Sequence, residues 1–254
     1  METLLELKEV SIQFGGHTAV DRVSLQIPVK QFTSIAGPNG AGKTTLFNLI
    51  SGQLRPTSGT LMYRGKDITL LPPYKRARLG MGRSFQITNV FPHLTVLENV
   101  RLAVQSQQNI GYKFFESIIL SKQLKDKAIY WIEQVNLSAK TNELAITLTH
   151  GEKRKLEIAI LLALESELLL LDEPTAGMSL EEVPTIIELL LEIKEKKDRT
   201  ILLIEHKMDM LMELSENLFI LNHGKLIAQG NPQAIMNDPI VQAAYLGGYD
   251  EQFA

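Results

Sequence analysis

The chain is predicted to fold as an α/β protein: a parallel sheet flanked by helices, an N-terminal antiparallel β subdomain and an inserted helical subdomain. Three observations predict this. Gly37-Pro38-Asn39-Gly40-Ala41-Gly42-Lys43-Thr44-Thr45 fits the phosphate-binding pattern G-x-x-x-x-G-K-[ST] and lies between an apolar strand-like run, 32–36, and a helix-like run. From Gly151 onward, helical stretches alternate with short apolar runs at 168–171 and 200–204, as a parallel sheet with crossover helices requires. Between about 95 and 150, strand signals fade and helical periodicity takes over.

Taken in order, residues 4–14 and 18–29 are rich in Leu, Val and Ile and are separated by Gly15-Gly16, which predicts two strands and a turn. A helix is expected from Lys43 to Gly52. A strand pair is expected over 59–70, turning at Arg64-Gly65-Lys66-Asp67, and Pro72-Pro73 opens a basic helical segment. Residues 96–105 and 114–135 read as helices. The end of the chain, 217–246, holds a hairpin through Asn222-His223-Gly224-Lys225 and a short helix after Pro232. The expected organisation is one domain over 1–254: 1–94 and 151–254 form the αβ core with its β subdomain, and 95–150 the helical subdomain.

The 254 residues suffice for a substantial core, and 44% hydrophobic with 22% charged residues is ordinary for a globular protein. A net charge of −3 gives no global field toward nucleic acid or anionic lipid. The absence of cysteine removes disulfides, iron–sulfur clusters and thiolate zinc sites, and fits a reducing compartment. The first residues lack the basic start and apolar core of a signal peptide, and no apolar run approaches the ~20 residues that span a bilayer. Any membrane role is therefore expected to be peripheral. The basic runs Lys75-Arg76-Ala77-Arg78 and Lys153-Arg154-Lys155 read as solvated helix faces.

In the phosphate-binding loop the glycines allow a tight turn whose N–H groups point at phosphate oxygens, and the following helix adds the positive end of its dipole. Lys43 would reach the β- and γ-phosphates, and the Thr44 hydroxyl would coordinate Mg²⁺. The run 168–171 ends in Asp172-Glu173, an arrangement that is costly unless a cation uses it. Asp172 would hold the Mg²⁺ shell and Glu173 polarise the attacking water; two exposed carboxylates are the plain alternative. Ile201 to Ile204 ends in Glu205-His206, where His206 would contact the γ-phosphate and orient Glu173, or serve a structural role. Gln86 ends another candidate strand, and its amide can ligate Mg²⁺ or hold water without adding charge. Phe14, at the end of the first strand, offers a face to stack on a purine, with core packing as the alternative.

In this order, Phe14, residues 37–45, Gln86, Leu148-Thr149-His150-Gly151-Glu152, the strand 168–173 and Glu205-His206 resemble the motifs of an ABC-transporter ATP-binding cassette, a P-loop NTPase, along essentially the whole chain. The resemblance implies ATP hydrolysis with Mg²⁺. It makes Phe14 the adenine-stacking aromatic, Gln86 the Q-loop residue, 168–173 the Walker B strand with its catalytic Glu, and His206 the switch histidine. Residues 148–152 stand where the family's L-S-G-G-Q signature binds the γ-phosphate of ATP held by the partner subunit. Here Thr149 replaces Ser, His150 the first Gly and Glu152 the Gln. Thr149 keeps the hydroxyl and Gly151 the close backbone approach, and His150 either adds a phosphate contact or only fills space. In the D-loop, Ser179 stands where Asp is commonest.

Gly80-Met81-Gly82-Arg83-Ser84-Phe85-Gln86, Glu173-Pro174-Thr175-Ala176-Gly177-Met178 and the tail from Asn237 to Gly247 resemble the importer ATPases for branched-chain amino acids and their relatives for urea or short amides. The resemblance implies two cassettes, homo- or heterodimeric, facing head to tail at the cytoplasmic face of the inner membrane. It implies permease subunits docking near Ile87 to Leu94, a substrate-binding protein acting through them, and no nucleic-acid partner. Export of a lipid or lipopolysaccharide by a similar cassette is the nearest alternative. A soluble cassette ATPase disagrees with one phosphate loop and no long heptad insertion. A non-hydrolysing regulatory cassette disagrees with the intact Lys43, Asp172, Glu173 and His206.

Overall fold

A computed structural model describes residues 2–84, 90–108 and 118–250. Strands β1 (Thr3–Phe14) and β2 (His17–Pro28) form an antiparallel hairpin, extended by β4 (Ser58–Tyr63) and β5 (Lys66–Asp67) into a sheet of order β2-β1-β4-β5. Alternate residues of β1 and β2, such as Leu5, Leu7, Val23, Leu25 and Ile27, are buried, the pattern of a sheet with one face on the core.

The second sheet has the order β10-β9-β3-β8-β7-β6, from β3 (Phe32–Ala36), β6 (Met81–Arg83), β7 (Leu168–Asp172), β8 (Thr200–Ile204), β9 (Asn217–Asn222) and β10 (Lys225–Gly230). The pairs β9/β3, β3/β8, β8/β7 and β7/β6 are parallel, and β9/β10 is an antiparallel hairpin. Every residue of β3, β7 and β8 is buried, so these strands read as continuous apolar runs rather than alternating ones. Their register aligns the strand ends: Asp172 pairs with Ile204 and Ile204 with Ile35. The loops that leave β3, β7 and β8 therefore start side by side on one edge, where ligands bind open parallel sheets.

Helix α1 (Lys43–Ser51) follows β3 and α2 (Pro73–Arg78) precedes β6. The inserted segment carries α3 (Val96–Gln107) and α4 (Ile118–Glu133). Helix α5 (His150–Ala163) leads into β7, α6 (Val183–Glu195) into β8, and α7 (Met208–Leu214) into β9. The tail adds α8 (Pro232–Met236) and α9 (Pro239–Asp250), one helix more than the sequence predicts. One apolar cluster joins Val96 and Val100 of α3, Leu124 and Ala128 of α4, Leu156 of α5 and Leu169 and Leu171 of β7. The inserted helices thus share a core with the parallel sheet. Among the described residues no helix is long and apolar enough to cross a membrane.

The basic runs are corrected by the structure. Arg76 is 1% exposed, and its guanidinium donates to the carbonyls of Leu49 and Ile50 (both 2.7 Å), Leu71 (2.9 Å) and Thr69 (3.0 Å). It satisfies carbonyls at the C-terminus of α1, sharing Leu49 O with the Gly52 N–H at 3.2 Å and serving Ile50 O beside it. Burial lowers its pKa to about 10. Gly52, in the left-handed conformation at φ 82°, makes room for it: a Cβ there would stand 2.7 Å from Arg76 Nε. Arg154 is likewise largely buried and is built into the site described below.

Replacing Arg76 by Met should destabilise the chain by about 2–4 kcal/mol, because at least two buried carbonyls lose their donor. Urea denaturation of the nucleotide-free protein checks this, and a loss below about 1 kcal/mol would contradict the capping role.

Candidate functional site

The phosphate-binding loop bridges β3 and α1. Gly37, Gly40 and Gly42 have φ of 148°, 77° and 96°. A Cβ on Gly37 would meet the Leu221 carbonyl oxygen at 2.0 Å, and one on Gly42 the Ala19 carbonyl oxygen at 2.4 Å, so both need glycine for room as well as for dihedral angle. Helix α1 begins with no side-chain cap, which leaves its first amides to an anion. Lys43 is 8% exposed, with Nζ donating to the carbonyls of Gly37 (2.7 Å) and Pro38 (2.9 Å). Burial pushes its pKa down, opposed by Glu173 and Asp172. Thr44 is exposed beside it, Thr45 half-buried, and Pro38 and Asn39 line the loop with Ala41 buried beneath.

Asp172 closes β7 with its side chain out of solvent. Its Oδ2 lies 3.2 Å from the Arg83 guanidinium, and its backbone N–H donates to the Ser84 hydroxyl at 3.2 Å. Oδ1 is buried with no partner. Burial raises its pKa, opposed by Arg83. Arg83 also donates to Asn48 Oδ1 (2.8 Å) and the Ser51 hydroxyl (2.6 Å), tying the end of β6 to α1.

Glu173 turns the chain out of the sheet in the left-handed region, φ 42°, strained for a residue with a side chain. Its N–H donates to Ile204 O at 2.9 Å, and its half-buried carboxylate lies 3.8 Å from His206 Nδ1. Asp172 therefore stays in the sheet end, while Glu173 leaves it half-buried beside His206. Glu205, fully buried, accepts from the N–H groups of His206 (3.1 Å) and Lys207 (3.3 Å) and from the Thr175 hydroxyl (3.4 Å), joining the two strand exits.

Phe14 is 49% exposed at the tip of the β1–β2 hairpin, and β2 reaches the loop through Ala19. Exposure disfavours the core-packing alternative. Gln86 and residues 87–89 of the expected docking stretch lie outside the described residues. Val90 to Leu94 are held by Asn99 of α3, which accepts from Phe91 N–H (2.8 Å) and donates to Phe91 O (3.1 Å).

The 148–152 segment opens α5. Leu148 is buried. Thr149 is the N-cap, its hydroxyl accepting from Glu152 N–H at 3.2 Å while Glu152 accepts from Thr149 N–H at 2.9 Å, a capping box. Gly151 is buried. His150 is exposed in the first turn.

Sequence reading missed four residues. Arg83 and Glu205 stand inside quoted motifs with no role given to them, and only the cost of burying an unpaired charge could have singled them out. Arg154 donates to Asp172 O and Pro174 O (both 2.9 Å) and to Glu157 (2.6 Å), contacts invisible in a basic run. Glu182, whose Oε1 accepts from Gly151 N–H at 3.1 Å, had a signal in the capping pattern Ser-x-x-Glu over 179–182.

A buried lysine, an uncapped helix start and a buried carboxylate with one open oxygen, all on one edge of a parallel sheet, define a phosphate-loop nucleotide site. The comparisons agree. Residues 20–176 match the ABC transporter family model, and 225–251 match that of the branched-chain amino acid ATP-binding cassette transporter. The high-affinity branched-chain amino acid transport ATP-binding protein LivG of Escherichia coli (strain K12) is 37% identical over 97% of this chain and 98% of its own length. BraF of Pseudomonas aeruginosa, with the same description, is 36% identical over 96% and 98%. The lipopolysaccharide export system ATP-binding protein LptB of Haemophilus influenzae is 32% identical over 99% of each chain. A crystal structure of the ADP conformation of an ABC-transporter ATP-binding cassette superposes with a TM-score of 0.83 at 28% identity, over 97% of this chain and all of its own. The chain belongs to the ABC transporter family and is an ATP-hydrolysing transporter subunit.

Replacing Arg83 by Met leaves the Asp172 carboxylate unpaired in the nucleotide-free chain and should cost about 2–4 kcal/mol in urea denaturation. The double variant Arg83→Met/Asp172→Asn should recover at least half of that loss; no recovery would show that Arg83 acts through packing alone.

Proposed function

We propose that this chain is the energising subunit of an importer for branched-chain amino acids or related small amides, working as one of two head-to-tail cassettes on the cytoplasmic face of the membrane. The carrying observation is the convergence of Lys43, Asp172, Glu173 and His206 on adjoining ends of β3, β7 and β8. The loop amides and Lys43 bind and orient the phosphates of ATP. Lys43 exchanges its two loop carbonyls for phosphate oxygens. Thr44 and the open Oδ1 of Asp172, with Gln86 from outside the described segment, would hold Mg²⁺. Among the described residues no three carboxylates or imidazoles cluster to hold a metal, which suits an ion that takes its remaining ligands from the nucleotide and water. When bound, Mg²⁺ neutralises charge on the phosphate oxygens. Glu173 orients the attacking water and accepts its proton, and His206 holds Glu173 toward the phosphate. Phe14 stacks on the adenine. The second cassette contributes its own 148–152 segment to this ATP.

Docking of a permease is supported by a depression of about 280 Å³ among α2, β6 and α5, lined by Tyr74, Arg76, Met81, Arg83, Leu161 and Leu164. It adjoins β6, from which the expected docking stretch, Ile87 to Leu94, departs. The import reading rests on the higher identity to LivG and BraF and on the match over 225–251. The identity to LptB favours the second reading, lipopolysaccharide export, at a lower level. Reconstituting the chain with the permeases encoded beside it and measuring ATP-driven uptake of labelled leucine or urea separates them; uptake of neither would refute the import reading.

Glu173→Gln should keep ATP binding and lower turnover by about 10²–10⁴-fold, the usual contribution of a general base; unchanged turnover would refute its role. Lys43→Ala should abolish binding at micromolar ATP, measured by equilibrium dialysis, and retained affinity would contradict the loop assignment.

A further inference from the structure

The first turn of α5 is the surface that the proposed head-to-tail pair offers to a partner's γ-phosphate, and its polar groups are already engaged within the chain. The Thr149 hydroxyl accepts from Glu152 N–H. The Gly151 N–H donates to Glu182 Oε1 at 3.1 Å. Glu182 lies at the turn into α6, and its other oxygen accepts from the Ser179 N–H and hydroxyl, both at 3.4 Å. One carboxylate therefore bridges the signature segment and the D-loop. The approach depends on glycine: a Cβ at Gly151 would stand 2.9 Å from Glu182 Oε1 and 3.1 Å from its carboxyl carbon.

We propose that Glu182 is a gate on the signature, holding the Gly151 amide until the γ-phosphate of ATP in the facing subunit displaces it. This rests on the head-to-tail reading above. An amide N–H serves one strong acceptor, so a phosphate oxygen and Glu182 compete for it. The Gly151 amide, and next the Thr149 hydroxyl, hold the Glu182 carboxyl below its usual pKa, so it is an anion at neutral pH. Two anions a few ångströms apart repel, which raises the ATP concentration needed to close the pair. Glu182 is half-buried, not enclosed, so its side chain can swing into solvent without disturbing the core. Its departure also releases the Ser179 N–H and hydroxyl. Engagement of the signature thereby frees the D-loop in the same step, a positioning role carried by one side chain.

The test uses the full chain with Glu173→Gln, which slows hydrolysis, alone and mixed with any second cassette from the same gene cluster. Association on ATP titration is followed by light scattering. Adding Glu182→Gln, which keeps an oxygen for the Gly151 N–H but removes the charge, should lower the ATP midpoint by about threefold to tenfold. Glu182→Ala should lower it at least as far. It should also speed deuterium exchange in peptide 148–156 without nucleotide, whereas Glu182→Gln should leave exchange near the parent value. A midpoint that is unchanged or raised in Glu182→Gln overturns the gate and makes Glu182 a fixed cap. If the Glu173→Gln parent fails to associate in either arrangement, the head-to-tail reading fails, and the gate with it.

Discussion

The site depends on burying the Asp172 carboxylate at the end of a strand of four leucines. An isolated charge there would be prohibitively costly, and the structure offsets it with the Arg83 guanidinium at 3.2 Å. That pairing is incomplete, since Oδ1 is enclosed without a partner. Lys43, a second buried charge on the same edge, rests on two loop carbonyls rather than on a carboxylate. Each group is held well enough to keep the fold and loosely enough to accept a ligand. The apolar strands beneath supply the low dielectric that gives these unfinished interactions their strength.

The same strand end anchors α5. Arg154 of its second turn donates to the carbonyls of Asp172 and Pro174, while the first turn is held by Glu182. The signature helix is thus tied to the Walker B exit at one point and to the turn after the D-loop at another. Held at Arg154 and, on the gate proposed above, released at Glu182, it would have the two arrangements that coupling between sites requires.

The phosphate loop and the three buried strands were legible in the sequence because each is local: a glycine spacing, an apolar run, a charge at its end. What escaped is non-local. Arg76 and Arg154 look like their solvated neighbours Lys75 and Lys153, and nothing in a basic run says which member turns inward to meet carbonyls on another element. Arg83 meets Asp172 across 89 positions and Glu182 meets Gly151 across 31.

Three departures from the family pattern lie among the hydrogen bonds at the first turn of α5 and the turn into α6. The signature exchanges Ser for Thr and Gln for Glu, and the D-loop has Ser in place of the commonest Asp. Each change contributes to an [ST]-x-x-E sequence, Thr149-x-x-Glu152 and Ser179-x-x-Glu182, at the start of α5 and at the turn into α6. The first closes as a complete capping box. The second does not: Glu182 lends one oxygen to Ser179 and the other across the gap to Gly151. The capping box over Thr149 and Glu152 keeps a pattern that Ser-x-x-Gln also satisfies, while Glu182 joins the two segments that a facing subunit would meet.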